Sequence, residues 1–266
     1  MLMNNNIKVY AAAGISRWLV AIVCALCSVG ASAQVGDYRS ELAVGFSGGY
    51  TMSKVGFNPS VPQQYIGGYT AGLTVRYTCE KYFNSICALV GEVNVAQIGW
   101  KDDILDVNDE AVLIPGTETP EEYQRSLTYV QVPLLARLGW GRERHGVQGF
   151  FQLGPQVGFM LGDKSTSNFK HEDRNKNDRV GIMYDAVQDT LPIDRKFDYG
   201  ITVGAGIEFS NRKVGHFILE GRYYYGLGDI FNNSKRDYFG RSNNNSIVIK
   251  LTYLFDVIRS KNDKIK

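Results

Sequence analysis

The sequence predicts an all-β protein: an eight-stranded antiparallel up-and-down transmembrane β-barrel behind a cleaved N-terminal signal peptide. Three observations predict it. From Leu42 almost to the end, apolar residues alternate two by two with small or polar ones, connections between the alternating segments are in turn long and tight, and aromatic residues gather at the two ends of the segments. With 44% hydrophobic residues the chain is too apolar for global disorder, and a net charge of +2 gives none of the electrostatic footprint of a nucleic-acid binder. No nucleic-acid partner is expected.

The first element is the signal peptide, residues 1–33. Lys8 and Arg17 precede an apolar, uncharged run from Trp18 to Val29, and Ala31-Ser32-Ala33 supplies a small-x-small cleavage site, so the mature chain is expected to start at Gln34. The run is shorter than the roughly 20 residues of a membrane-spanning helix. Val23 and Leu26 stand before Cys24 and Cys27 where lipid attachment wants a small residue. Export leads to a periplasm, an outer membrane or the outside.

Eight strands follow, each with an apolar face. In the first, Leu42, Val44, Phe46 and Tyr50 oppose Ala43, Gly45, Ser47 and Gly49. The second sets Tyr69, Ala71, Leu73, Val75 and Tyr77 against Thr70, Gly72, Thr74, Arg76 and Thr78. The third, about Ile86 to Trp100, sets Leu89, Val93 and Val95 against Ala88, Glu92 and Asn94, with Val90 and Ile98 blurring its polar face. The fourth sets Val130, Val132, Leu134, Ala136, Leu138 and Trp140 against Tyr129, Gln131, Pro133, Leu135 and Arg137. In the fifth, Val147, Phe151, Leu153, Val157, Phe159 and Leu161 oppose Gln148, Gln152, Gly154, Gln156 and Gly158, and Pro155 predicts a bulge or a weakened pairing. The sixth runs from Phe197 to Phe209 with Asp198, Gly200, Thr202, Gly204, Gly206 and Glu208 on its polar face. The seventh sets Phe217, Leu219, Tyr223 and Tyr225 against His216, Glu220, Arg222 and Tyr224, and the eighth sets Ile247, Ile249, Leu251, Tyr253 and Phe255 against Ser246, Val248, Lys250 and Thr252.

Long connections are read at residues 51–67, 101–126, 162–196 and 226–245, and tight ones at 80–85, 141–146 and 210–215. Strands of about ten residues reach across a bilayer when tilted. A soluble barrel would carry charges on its outer face, whereas an eight-stranded lumen is only just wide enough for its own side chains. Glycine and small polar residues therefore belong inside, and the bulky apolar face meets lipid. Two girdles agree: Tyr77, Trp140, Phe209, Phe217 and Phe255 near the tight turns, and Tyr50, Tyr69, Trp100, Phe159, Tyr199 and Tyr225 near the long loops. The expected organisation is signal peptide 1–33, barrel 34–255 and periplasmic tail 256–266, with both chain ends periplasmic and the long loops extracellular.

The chain resembles the PorT-like outer-membrane β-barrel proteins of the Bacteroidota over about residues 42–255. The resemblance is carried by Tyr129-Val-Gln-Val-Pro133-Leu-Leu, Phe151-Gln-Leu-Gly154-Pro155-Gln-Val-Gly158, Gly204-Ala-Gly206-Ile-Glu208-Phe209 and Arg222-Tyr-Tyr-Tyr225-Gly226-Leu. It implies a barrel in the outer membrane. The family's namesake is an accessory of type IX secretion, a role that belongs to few members. Many such barrels end on the last strand's aromatic, here Phe255, and this sequence continues from Asp256 to Lys266.

No cofactor and no metal are expected. Gly204-Ala205-Gly206 lies within a strand and opens no helix, so it reads as glycine on a crowded lumen face. Asp173-x-Asn175-x-Asn177 begins like a calcium loop but has Asp178 in place of the glycine and Tyr184 in place of the closing glutamate. Arg76, Glu92, Arg137, Glu208, Glu220, Arg222 and Lys250 face the lumen. They are read as a charge network that plugs it rather than as a narrow pore. Loop residues Asp102, Asp103, Asp106, Asp109, Glu110, Glu118, Glu121 and Glu122 read as a solvated acidic face, or more sharply as a surface for a divalent cation or a basic partner. The tail and tight turns are basic, with Arg142, Arg144, Arg212, Lys213, Arg259, Lys261, Lys264 and Lys266. Cys79 and Cys87 flank the first tight turn on the outward face, and direct pairing of the two positions would permit a disulfide. The functional expectation is a non-enzymatic surface or scaffold barrel in the lipid bilayer, with a protein partner on its extracellular loops. The alternative is a lipid-modifying or proteolytic enzyme built on His171, Ser165, Ser167 and Asp173.

Overall fold

A computed structural model describes residues 37–82, 85–142, 145–170, 172, 175, 178, 179, 187–211, 213–231 and 239–259. The signal peptide and its Ala33/Gln34 junction, Cys24, Cys27, His171, Asp173, Arg144, Arg212 and tail residues 260–266 lie outside the described residues, as does Tyr184.

The strands are β1 (Asp37–Asn58), β2 (Gln63–Gln64), β3 (Ile66–Tyr82), β4 (Ser85–Asp102), β5 (Tyr123–Gly141), β6 (His145–Ser167), β7 (Phe197–Asn211), β8 (Gly215–Gly226) and β9 (Arg241–Ile258). A single helical turn, α1 (Val187–Thr190), precedes β7. All pairings are antiparallel. The order runs β4-β3-β1-β9-β8-β7-β6-β5, and β4 also pairs with β5, so the eight long strands form a closed cycle with no free edge. The short β2 adds to the end of β4 through Gln63↔Asp102 and Gln64↔Lys101.

The alternation holds. Outward positions from Phe46 to Tyr50, Tyr69 to Val75, Leu89 to Val95, Val132 to Trp140, Val147 to Leu161, Phe197 to Phe209, Phe217 to Tyr225 and Ile249 to Phe255 carry no charge. Inward neighbours are buried. That uncharged outer band is what a hydrocarbon layer selects.

Three expectations are corrected, and the alternative at Pro155 is decided. Strands are longer than about ten residues, from 12 in β8 to 23 in β6, and the long connections shrink to 59–65, 103–122, 168–196 and 227–240. Backbone ladders such as Lys101↔Gln124 and Tyr123↔Ser167 simply continue past the apolar band, because pairing needs no apolar face. Trp100 is not in the outward girdle: it is 0% exposed and points inward with Ile98. At Pro155 the weakened pairing holds and there is no bulge. It pairs with Ile201 on β7, while the β5–β6 ladder skips from Pro133↔Gln156 to Ala136↔Leu153, so two prolines thin the pairing without shifting the register.

The third correction concerns the cysteines. The β3–β4 register shifts between Thr78 and Glu80, so Cys87 faces Glu80 and Cys79 is the extra residue of a bulge. No disulfide joins Cys79 and Cys87, and Cys79 Sγ lies 3.7 Å from the Tyr77 carbonyl. The direct pairing that a disulfide needed is absent.

Candidate functional site

The inside of the closed sheet is filled in layers. Toward the tight turns, Ala43, Phe150, Ile218 and Leu254 form a small apolar cluster level with Glu208 and His216, and the Arg137 guanidinium sits 3.6 Å from the centre of the Phe150 ring. The predicted charges lie beside and above this cluster. Glu208 accepts from Arg76 Nη1 at 2.8 Å on both oxygens and is paired with Arg137, while Ser210 Oγ donates to it at 3.0 Å. His216 Nδ1 lies 2.7 Å from the same carboxylate, and its Nε2 lies 3.0 Å from Asp256. A second cluster stands above. Arg222 donates to Glu92 at 2.7 and 2.8 Å and to Glu220 at 2.6 Å, Lys250 reaches Glu92 at 2.5 Å, and Gln152 donates to Glu220 at 2.7 Å.

All seven charges expected on the lumen face are therefore inside, and every one is ion-paired. The local sequence explains how they fit. On β7, Gly206 faces Glu220 and Gly204 faces Arg222. A Cβ at Gly206 would lie 2.7 Å from the Phe150 ring and one at Gly204 2.9 Å from Arg222 Cγ, so glycine there makes room for the clusters. Sequence reasoning left His216, Ser210 and Gln152 out of the network. Period two puts His216 on the same face as Glu220 and Arg222, which would have found it.

Above the charges, Thr70, Asn94, Gln131, Gln156, Thr202 and Ser246 surround a cavity of about 20 Å³, the size of one water. The long-loop end is then closed by an apolar plug. Val55, Phe57, Val61, Ile98, Trp100, Leu127, Tyr129, Ile230, Phe231 and Phe239 pack together, with ring centroids of Phe57 4.8 Å from Phe239 and 5.7 Å from Trp100. This plug was not anticipated from the sequence, since four of these ten residues, Val61, Ile230, Phe231 and Phe239, come from loops.

The loops build on the plug. Ile104, Val112, Tyr123 and Phe169 form a separate small core. The predicted acidic face is divided by it. Glu121 is buried and holds Arg179, with Nε 2.9 Å from Oε2, and it accepts the Asn175 amide at 2.7 Å. Glu122 pairs with Lys101 at 3.0 Å, Asp103 accepts from Gln64 at 2.9 Å, and Asp106 caps a turn through the amides of Asn108 and Glu110. Arg125 forks onto Asp163 and donates to the Leu191 carbonyl at 2.7 Å, tying the third long loop down. Asp109, Glu110 and Glu118 remain exposed. Among the described residues no group of three or more His, Cys, Asp or Glu is placed to hold a metal ion.

Asp102 lies beyond the apolar band, 3% exposed, and accepts from Gln188 Nε2 at 3.0 Å. Burial pushes its carboxyl up to about 6, against the lowering influence of Asp189, Gln188 and Arg179. A carboxyl whose folded pKa lies above its unfolded one favours folding most when protonated, so the loop cap should tighten as pH falls from about 7 toward 4. Asp102→Asn is expected to remove that dependence and to stabilise the cap at pH 7 by on the order of 2 kcal/mol. Amide hydrogen exchange of residues 187–196 at pH 7.5 and 5 reads both effects.

The family follows from a match over residues 32–232 to the outer membrane protein beta-barrel domain. The chain belongs to that family. It is accordingly an outer-membrane β-barrel protein set in a lipid bilayer, and the uncharged outer band is its lipid-facing wall. Among solved structures it is similar to the attachment invasion locus protein Ail of Yersinia pestis, at 14% identity over 81% of this chain and 99% of that one, with a TM-score of 0.33. It is also similar to the outer membrane enzyme PagL (9% identity, 78% and 98% covered, TM-score 0.37) and to OprG from Pseudomonas aeruginosa (11%, 83% and 97%, TM-score 0.33). No curated protein matches the chain.

Proposed function

We propose that the chain is a non-enzymatic, eight-stranded transmembrane barrel whose loop cap is a docking surface for a protein partner at the cell surface. In this reading the signal peptide 1–33 is removed, both chain ends are periplasmic and the long loops are extracellular. Accessory work in type IX secretion is its narrower version, resting on the PorT-like resemblance.

The observation that carries the reading is the cap itself. Residues from the second and third long loops are held by a common core and by the buried Glu121/Arg179 pair, which gives a fixed surface rather than a set of solvated loops. Below it the lumen is filled by paired charges and sealed by the apolar plug, which supports a scaffold over a pore. Conductance of the purified chain in planar bilayers is therefore expected to stay near baseline, and steady ion current through single molecules would favour the pore. The serines of the alternative enzyme reading, Ser165 and Ser167, are exposed on β6, and Ser167 Oγ donates to the Phe169 carbonyl at 2.8 Å, while His171 and Asp173 lie outside the described residues. The Ser210, His216 and Asp256 side chains do form a hydrogen-bonded chain of 2.9 and 3.0 Å, but Ser210 is 1% exposed and also bonded to Glu208, so that chain serves packing.

The test is cross-linking and affinity capture from intact outer membranes with the wild-type chain and with a variant whose residues 104–120 are replaced by a short Gly/Ser linker. A partner recovered only with the wild type supports the docking surface, and secretion-machine components among the recovered proteins support the narrower version. Identical recoveries from the two would remove the cap from the function.

A further inference from the structure

The barrel wall does not end at one height. Past Leu161, the last outward apolar residue of β6, the β4–β5 and β5–β6 ladders run on to Lys101↔Gln124 and Tyr123↔Ser167. On the other side of β6 the pairing stops early. Its ladder with β7 ends at Phe159↔Phe197, followed by one bond from the Met160 amide to the Lys196 carbonyl at 2.7 Å. Residues 161–167 are therefore held by β5 alone: among the described residues nothing bonds to the backbone edge that faces away from it. All of them are exposed.

A free strand edge is a row of amides and carbonyls ready to pair, and chains normally cover it, bulge it away or cut it short. Here it is none of these: past the shift between Thr128 and Tyr129 the register with β5 is unbroken to Ser167. Asp163 forks onto the buried Arg125, which puts residues 163, 165 and 167 on the inner face and Gly162, Lys164 and Thr166 on the outer one. Lys164 makes no ion pair among the described residues. The described ends of the third long loop add exposed Lys170, Arg195 and Lys196 against exposed Glu172 and Asp194, so the surroundings are cationic on balance. Lysine on an edge keeps apolar strands away, and it favours a strand that brings a carboxylate opposite it.

We infer that the free edge of β6, residues 161–167, takes an added strand: an extended segment of a partner protein, acidic on its outer face, pairs antiparallel with β6 in the gap above the start of β7. Main-chain bonds supply the affinity, and the carboxylate opposite Lys164 supplies the choice of partner. A second copy of the chain does not fit. Two barrels side by side in one membrane both run β6 outward, so the two edges meet in parallel with Lys164 against Lys164. The inference deepens the docking reading above and rests on it for placing this edge outside the cell.

The probe is the end-blocked peptide Thr-Val-Glu-Val-Glu-Val-Thr, offered in millimolar excess to the folded full chain in detergent, with amide exchange read by mass spectrometry. Exchange in residues 161–167 is expected to slow about ten-fold, while residues 145–158, already paired on both sides, stay unchanged. The fully N-methylated peptide, which keeps every side chain but has no amide to donate, should have no effect. Thr-Val-Lys-Val-Lys-Val-Thr should have none on wild type, and Lys164→Glu, which leaves the backbone edge intact, should reverse the preference between the two unmethylated peptides. Unchanged exchange with the acidic peptide overturns the site, as does equal slowing by its N-methylated form. Strong protection of 161–167 before any peptide is added also overturns it, because the chain's own third loop would then cover the edge. Equal slowing by the lysine peptide overturns the acidic partner. The docking reading fails separately, through the 104–120 variant on intact membranes: that variant keeps β6, so identical recoveries remove the second loop from the function while a peptide-protected edge stands, and an unprotected edge leaves the capture result as it is.

Discussion

Glu208→Gln is expected to lower the unfolding free energy by about 3–5 kcal/mol, the usual cost of removing one partner from a buried ion cluster. Glu208 is the sole carboxylate in contact with both Arg76 and Arg137 among the described residues, and its side chain is 1% exposed. Glutamine keeps the shape and one acceptor oxygen, but leaves two guanidiniums facing each other in the lumen without a counter-charge. The loss reflects uncompensated charge rather than the worth of the pairs. Replacing Arg76, Arg137 and Glu208 together by Met or Leu should therefore lie closer to wild type than Glu208→Gln alone. Urea unfolding of the chain folded into lipid vesicles orders the three proteins. A Glu208→Gln midpoint equal to wild type would mean that water enters the lumen and solvates the arginines, and the plugged-lumen reading would fall with it.

The lumen charges were legible in the sequence because a strand has only two faces, and one of them here had to be uniformly apolar. Once Leu89, Val93 and Val95 are assigned to lipid, Glu92 has nowhere to point but inward, and Gly204 and Gly206 then mark where the opposite strand gives way. What period two does not supply is the character of the inner face along its length. Val55, Ile98 and Leu127 are as apolar as their outward neighbours, because near the long loops the interior is an apolar plug and not a polar network. There the alternation fades although the strands continue. Parity still assigns the face: Trp100 is eight residues from Glu92 and shares its side of β4. Reading it as part of a girdle followed its residue type instead of its position.

The loop cap was illegible for a different reason. Glu121 and Arg179 are separated by 58 positions, and nothing local distinguishes either from the exposed Glu118 or from other loop arginines. Their burial is decided by the small core of Ile104, Val112, Tyr123 and Phe169, which assembles from two loops. The cysteine pair failed through a single inserted residue. Spacing on either side of a tight turn gives a register only if neither strand bulges, and the shift at Cys79 moves it out of the position opposite Cys87.

Trp100→Ala is expected to cost about 3–5 kcal/mol, because it empties the centre of the plug between Phe57 and Phe231 instead of trimming a lipid-facing ring. The sequence has three tryptophans, and Trp18 lies in the expected signal peptide, which leaves Trp100 and Trp140 to compare. Trp140 is 48% exposed on the outer face near the tight turns. In vesicles containing brominated lipid, the fluorescence of a Trp100→Phe variant, which reports Trp140, should be strongly quenched. That of Trp140→Phe, which reports Trp100, should be nearly unaffected. The same inward position predicts where the damage spreads: loss of the indole removes packing from Phe57, Phe231 and the Arg125 guanidinium that lies 5.6 Å from its ring, so amide exchange should accelerate in residues 227–231 and 187–193 while the tight-turn end stays protected. If brominated lipid quenches Trp100 as efficiently as Trp140, the residue belongs to the girdle, β4 has slipped by one position above Val95, and the apolar plug is not built as described.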